Sequence, residues 1–528
     1  MEEKNICAIP PEKFRFVQED RVLGDKKLET KPVGFMRDAW RRFAKNKSSI
    51  VGMVIIALLI LFSLIAPLVS RYEVSDIDGQ YADVFPKVAT WAGGGIWDGT
   101  RKYENGTAPY QRYLAMGVES GRDAVTKTYG SVQNETVSIV NGVEKTVVTT
   151  TYTYRQDTYN AVGYIFLDLT KEEYMALQEY QNETGIQVIY PHQDTKQMFS
   201  SLDANYWYKT YAKSSDEHSK GEAVLDDDGN FIPIYKTSGT DNYTSLRIDG
   251  DPAKGVEDPS TVANRYRYAV KNQSGYNVRV CYYDYYVYQH GFEPCYIFGA
   301  NSQGQDLFVC IASGTRFSLI LAMGIALINL VIGAIYGAIE GYYGGAADLL
   351  MERFSDILSG VPFMVVTVLF QLHLAEKVGA IGALIFAFIL TGWIGTASTV
   401  RMQFYRFKNR EYVLAARTLG ARDRRLIMKH IFPNAVGTII TGAALLIPSV
   451  IFSETSLSYL GIISLDDARS GLTSLGTLLA KGQAEMGSGF FHPIIFPSIV
   501  ISLLMISFNL FGNGLRDAFN PSLRGVEE

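Results

Sequence analysis

EYVLAARTLGARDRRLIMKHIFPN, residues Glu411–Asn434, is a basic, helix-prone segment set between two long apolar runs. Small residues, Ala415, Ala416 and Gly420, lie at its centre, where they leave room for another protein's surface to approach the backbone. A loop this rich in Arg and Lys belongs on the cytoplasmic side of a membrane, because basic residues close to the ends of spans are retained inside. The segment therefore reads as a docking helix on the inner face of a membrane subunit.

The apolar residues around it are gathered in blocks. Six uncharged runs, Ser48–Ser70, Phe317–Ile339, Ile357–Ala375, Val378–Val400, Ala435–Ser453 and Pro493–Leu515, are each about long enough to cross a hydrocarbon core, which takes roughly 17 to 25 helical residues. Arg37, Arg41, Arg42, Lys45 and Lys47 precede the first run, so the N-terminus is expected to stay in the cytoplasm. Counting spans from there puts residues 70–300 outside and both 340–356 and 401–434 inside. Residues 454–492 then fall outside, and the tail with Arg516 and Arg524 inside. Counting and local charge agree, whereas the net charge of -5 says little, since the two faces of a membrane protein carry separate balances. Residues 1–47 show no signal-peptide pattern and read as a cytoplasmic segment, followed by an uncleaved first span at 48–70.

Residues 71–297 differ in character, being rich in Tyr, Thr, Asn, Asp and Gly. Val137–Val140 and Val143–Val148 flank Asn141-Gly142, a strong two-residue hairpin signal. Leu169–Gly185 reads as a helix, with Thr170 and Glu173 at capping-box spacing and Gly185 as its stop. Strands are expected at Ile186–Tyr190 and Tyr276–Tyr288, with a turn at Asp228-Gly229 before Phe231–Tyr235. The whole is expected to be a folded extracellular α+β domain, long enough to bury its own core. Asp226-Asp227-Asp228 lacks calcium-loop spacing and reads as an acidic turn. Asn105, Asn134, Asn182, Asn242 and Asn272 sit in N-x-S/T triplets that composition alone explains. Cys281 and Cys295 leave a disulfide open, with Cys7 and Cys310 as further thiols.

From Phe298 the chain resembles a known family. Gly314, Arg316, Ser318 and Leu319 match G-x-R-x-S-L, and Gly341–Phe363 (GYYGGAADLLMERFSDILSGVPF) matches a glycine-rich inner turn. Glu411-Tyr412, Ala415-Ala416-Arg417, Leu419-Gly420 and His430-Ile431-Phe432-Pro433-Asn434 match the coupling motif, with Leu414 in place of the usual Glu and His430 in place of an Ile. Ile451–Gly461 (IFSETSLSYLG) and Phe508–Pro521 (FNLFGNGLRDAFNP) match two C-terminal motifs. Together these residues resemble the C-type permease subunit of bacterial oligopeptide and dipeptide ABC importers. Two lead-in triplets depart from the family, as Gly299-Ala300-Asn301 and Gly304-Gln305-Asp306.

The resemblance implies a polytopic α-helical membrane protein with six transmembrane helices of the type I ABC importer permease kind. It would have a large α+β extracellular insert between the first two helices and a permease core over 298–528. It also implies a bacterial plasma membrane location with both termini cytoplasmic. The implied partners are a second homologous permease, two ABC ATPase subunits, an extracellular solute-binding protein and the lipid bilayer, with no nucleic acid. ATP and Mg would sit on the ATPases, since the chain has no G-x-x-x-x-G-K-(S/T) loop. No cofactor is expected on this chain and no catalytic or metal site is read in it. Glu411, Tyr412, Ala415, Ala416, Arg417, Leu419, Gly420 and Pro433 are the expected ATPase-coupling residues, Pro433 separating the coupling helix from the next span. Glu454, Asn329 and Asn509 are candidates for the translocation path or gate, because a polar or ionisable residue at membrane depth is a functional hypothesis by default. Headgroup capping by Glu454 and plain interhelical hydrogen bonds by the Asn residues are the structural alternatives. A nickel-chelate permease of the same family and a membrane-anchored receptor or adhesion protein are the competing functional readings.

Overall fold

In the computed structural model the described residues are 35–89, 97–140, 143–194, 196, 203–215, 218–236, 266–273, 275–466 and 472–519. Residues 1–34 with Cys7, the Asn141-Gly142 pair, the Asn242 triplet and the tail with Arg524 lie outside them.

The membrane part starts with a short amphipathic helix, α1 (Phe35–Lys45), whose Ala39 and Phe43 are buried, followed by α2 (Lys47–Val69). Asn46 caps α2 by accepting from the Ser48 and Ser49 amides, two of the donors that a helix start leaves unpaired. After the 72–297 segment come α6 (Leu307–Tyr343), α7 (Gly345–Ser359), α8 (Phe363–His373), α9 (Ala375–Gly392) and α10 (Ile394–Lys408). The basic segment holds α11 (Glu411–Thr418) and the one-turn α12 (Asp423–Arg425), and α13 (Phe432–Tyr459), α14 (Leu475–Met486) and α15 (His492–Phe519) complete the chain.

Among the described residues five helical stretches are long and apolar enough to cross a membrane, and α7 with α8 would make a sixth only if that pair, bent by 72°, counts as one span. The expected third span, Ile357–Ala375, is thus divided. Pro362 disfavours helix at the residue before it, so α7 ends at Ser359 and the 11-residue α8 restarts at Phe363, about 16 Å long at 1.5 Å per residue. Other spans are longer than their uncharged runs: α6 has 37 residues, and the stretch 423–459 is helical throughout its 37. Gly333, Gly337 and Gly341 form a one-turn-spaced stripe on α6 against which α10 lies. A Cβ on Gly337 would meet the Ala397 carbonyl oxygen at 2.1 Å, and one on Gly341 would meet Phe404 at 2.6 Å. The absence of side chains lets the two backbones approach closely, as is common between membrane helices.

Residues 72–297 hold two antiparallel sheets among the described residues. In the first, β1 (Thr100–Gly106), β2 (Val125–Val140) and β3 (Val143–Asp157) run in the order β1-β3-β2. The register Val140↔Val143 means that two residues join β2 to β3, as the Asn-Gly pair predicts. Helix α3 (Thr107–Ser120) follows β1 directly. In the second sheet β4 (Tyr164–Leu169) and β5 (Ile189–Tyr190) flank β7 (Tyr276–Cys281), which also pairs β6 (Ala269–Lys271). Helix α4 (Lys171–Thr184) forms as expected, with both halves of the Thr170/Glu173 capping box made and Gly185 left-handed at φ 71. Phe231–Tyr235 makes isolated bridges, and the acidic turn closes on Asp226, which accepts from the Asp228 and Asn230 amides.

The strand expected over Tyr276–Tyr288 is half right. It stops at Cys281, and Tyr282–His290 is helix α5, ended by left-handed Gly291. Tyr282, Tyr283 and Tyr286 point into a tyrosine-rich core with Tyr81, Tyr159 and Tyr296, the i, i+1, i+4 spacing of one helix face. Cys281 and Cys295 are free thiols. Arg279 of β7 is fully buried and pairs with Glu119 of α3 through two bonds of 2.7 and 2.6 Å, tying the second sheet to the helix that follows β1.

Candidate functional site

The basic segment folds as two pieces around a glycine turn. In α11 only Val413 turns inward. It is fully buried with Leu426, Ile431 and Ala435 against Val400 and Phe404 of α10 and Ala338 and Tyr342 of α6. Glu411, Tyr412, Ala415, Arg417, Leu419 and Gly420 are exposed and Ala416 is half-buried. Leu419 is 88% exposed, a large apolar side chain left uncovered by the described residues. Gly420 acts through its backbone. At φ 82 it donates to the Arg417 carbonyl at 2.9 Å while Ala421 donates to the Ala416 carbonyl at 3.1 Å, the paired bonds of a Schellman motif. Nothing lies within 4 Å of a Cβ placed there, so conformation, and not crowding within this chain, calls for glycine.

Pro433 does not separate the coupling helix from the next span. That break is the Gly420 turn. Beyond it the chain stays helical from Asp423 into α13, passing through a wide turn at Leu426–Ile431 with i→i+5 bonding. Pro433 has no N–H to give, and the wide turn just before it absorbs the missing bond.

Two motifs that look separate in the sequence meet here. Tyr342, from the glycine-rich turn, donates to Asp423 Oδ1 at 2.5 Å and receives Arg417 Nη2 at 3.4 Å. Nearby, Arg401 of α10 donates to both Asp348 and Glu352 of α7, with Nε to Asp348 Oδ1 at 2.6 Å and Nη1 to Glu352 Oε1 at 2.7 Å. Tyr405 adds a bond to Asp348 at 2.6 Å, and Lys408 reaches the Gly341 carbonyl at 2.9 Å. Arg401 escapes a motif reading, although the i,i+4 spacing of Asp348 and Glu352 on one helix face hints at a shared cation.

Glu454 lies 22 residues into α13, about 33 Å from its start at 1.5 Å per residue, and so at the opposite end from α11. It is 1% exposed, so its carboxylate lies inside the protein and not on its surface. Its carboxylate accepts from Ser474 at 2.7 Å, Ser458 at 3.1 Å and Ser318 at 3.5 Å. One acidic side chain thereby joins α13, α6 and the cap of α14 through three hydroxyls, with no cation beside it among the described residues. The other two gate candidates are not brought to it. Asn329, also buried, donates to the Phe388 carbonyl of α9 at 3.3 Å, and Asn509 is exposed and bonds its own helix at Met505.

Comparison with known proteins gives the family. The family described as binding-protein-dependent transport system inner membrane component matches residues 329–525, and the N-terminal TM domain of oligopeptide transport permease C matches 34–86. The oligopeptide transport system permease protein OppC of Bacillus subtilis (strain 168) is 40% identical over 229 residues, which cover 43% of this chain and 72% of that protein. The chain belongs to this permease family. The dipeptide transport system permease protein DppC of the same organism is 39% identical over 227 residues, 43% of this chain and 69% of that protein. OppC of Haemophilus influenzae is 39% identical over 236 residues, covering 44% and 72%. The permease is a multi-pass membrane protein and a transport subunit, not an enzyme. The two matched stretches leave residues 87–328 between them.

Proposed function

We propose that this permease is the membrane subunit of an importer for oligopeptides or dipeptides, driven by two partner ATPases that carry ATP and Mg. A second homologous permease would complete the pathway in the bacterial plasma membrane, and an extracellular solute-binding protein would deliver the substrate. Both termini are assigned to the cytoplasm, 298–528 to the permease core and 71–297 to an extracellular domain that serves as a collar for the delivery protein. The basic residues before α2 and around α11 support this orientation.

The observation that carries the reading is the outward face of α11, where Tyr412, Leu414 and Leu419 stand exposed around small Ala415 while Val413 anchors the helix to three others. Such a face suits a groove in an ATPase. Glu411 and Arg417 would supply charged contacts at its rim. Movement of α11 would pass into α13 through the Val413 cluster and reach the Glu454 hydroxyl cluster at the far end, so that ATP binding inside opens the path outside. A receptor or adhesion role would leave this exposed face without a use.

The test is co-expression with the companion subunits, followed by affinity purification and uptake in proteoliposomes. Wild-type complex is expected to retain the ATPases and import peptide. Gly420→Arg is expected to insert normally and hydrolyse ATP without uptake. Normal uptake by that variant, or purification free of any ATPase, would remove the docking role.

A further inference from the structure

Between α6, α9 and the loop before α14 lies a slot of about 430 Å³, within the range of small-ligand sites. Its walls are mostly apolar: Phe317, Ile320 and Ile328 from α6, Ile381 and Ile385 from α9, and Leu472 from the loop. Among the described residues one cation lines it. Arg316 sits on the first turn before the uncharged run of α6, about 14 Å along the helix from Leu307 at 1.5 Å per residue. It is half-buried, and no ion pair or hydrogen bond engages its guanidinium among the described residues. The arginines that pin the rest of the fold, Arg279 and Arg401, each hold carboxylates at 2.6 Å. Among the described residues no anion balances this guanidinium at the border of the apolar slot, and a planar carboxylate fits its fork in two parallel bonds.

We propose that this slot is a substrate site for the C-terminal residue of a peptide, with its carboxylate on Arg316 and an apolar side chain among Ile320, Ile381 and Ile385. The assignment rests on the peptide-import reading and deepens it. Charge complementarity selects an anion, and the apolar lining selects an anion that carries hydrocarbon. Phospholipid would meet both demands, but Leu472 favours the substrate. That side chain walls the slot two residues before Ser474, the shortest of the three hydroxyl contacts to Glu454. A peptide terminus pressing on Leu472 would displace Ser474 and loosen the outer cluster, which links occupancy to opening.

The experiment uses the complete transporter in proteoliposomes, with its solute-binding protein saturated in turn by Ala-Ala-Leu and by the same tripeptide as its C-terminal amide. Wild type is expected to import the acid at least tenfold faster than the amide. Arg316→Gln is expected to lower acid import at least tenfold and amide import less than twofold, and Arg316→Lys to keep part of the preference. Equal loss for both peptides, or an unchanged acid-to-amide ratio, overturns the proposal. Repeating the series in phosphatidylcholine and in phosphatidylglycerol vesicles separates the other anion. If Arg316→Gln abolishes a dependence on phosphatidylglycerol while the peptide ratio stays fixed, the slot belongs to lipid phosphate and the proposal falls. Failure of wild type to import either peptide would instead remove the peptide reading itself.

Discussion

Replacing Arg401 by Met should detach α7 from α10. The guanidinium makes four bonds to two carboxylates, at 2.6 and 3.0 Å to Asp348 and 2.7 and 3.0 Å to Glu352. The two acids do not weigh equally, since the Asp348 side chain is 12% exposed and that of Glu352 is 37% exposed. The forked pair with the more buried acid is worth about 1.5–3 kcal/mol as a whole, because solvent still reaches both groups, while the exposed pair adds about 0.2–1 kcal/mol. Loss of the cation also leaves two like charges at i,i+4, which repel by about 0.2–0.5 kcal/mol. The sum for attachment of α7 is about 2–4 kcal/mol, or roughly 30- to 1,000-fold in the local opening equilibrium at 1.4 kcal/mol per tenfold. Hydrogen exchange read by mass spectrometry on the assembled complex should show the amides of 345–359 exchanging faster by that factor, with α13 little changed. Arg401→Lys should give an intermediate result, because an ammonium cannot form both forks. Unaltered exchange in α7 for Arg401→Met would refute the argument that this guanidinium holds the helix.

Gly420→Ala should cost about 1–2 kcal/mol at the α11 turn, the penalty for a side chain in left-handed backbone, and reduce uptake per ATP hydrolysed without reducing membrane insertion. Equal uptake per ATP in that variant would show that the turn is not under conformational demand. In 72–297, Arg279→Met strands Glu119 in a fully buried site and should destabilise this segment by about 3–5 kcal/mol, measured by protease resistance, whereas Arg279→Met with Glu119→Leu should recover much of the loss. Protease resistance matching wild type in the single variant would contradict this. The Asp83 carboxyl is pushed up to about 6, by burial first and then by the charge and hydrogen bond of Glu485 on α14. A raised acid favours the protonated fold, so its contribution is complete below the ordinary value of about 3.9 and is lost as pH rises through about 6. Protection of the contact between residue 83 and α14 should therefore fall across that window, and Asp83→Asn should flatten the profile; an unchanged slope would assign the titration elsewhere.

Much of the architecture was open to reading from local pattern. Thr170 and Glu173 announced the α4 cap because a capping box involves only residues three apart. Asn141-Gly142 announced the β2–β3 hairpin for a similar reason, and uncharged length marked most of the spans. Local pattern failed where packing decided the outcome. Tyr276–Tyr288 alternates plausibly as strand, yet from Tyr282 the chain folds as helix, and its tyrosines complete a core built from Tyr81, Tyr159 and Tyr296. The run at Ile357–Ala375 has a span's composition, but Gly360 and Pro362 divide it.

By itself the sequence determined the membrane character, the family motifs and the basic loop, since hydrophobic length, glycine placement and charge act over a few neighbouring residues. Tertiary structure alone decided which of those residues cooperate. Ser318, Ser458 and Ser474 converge on Glu454 from three elements, Tyr342 reaches Asp423 across 81 residues, and Arg279 finds Glu119 across 160. Burial requires a polar group to find a partner, but which partner it finds depends on how helices and sheets pack, and no short stretch of chain encodes that.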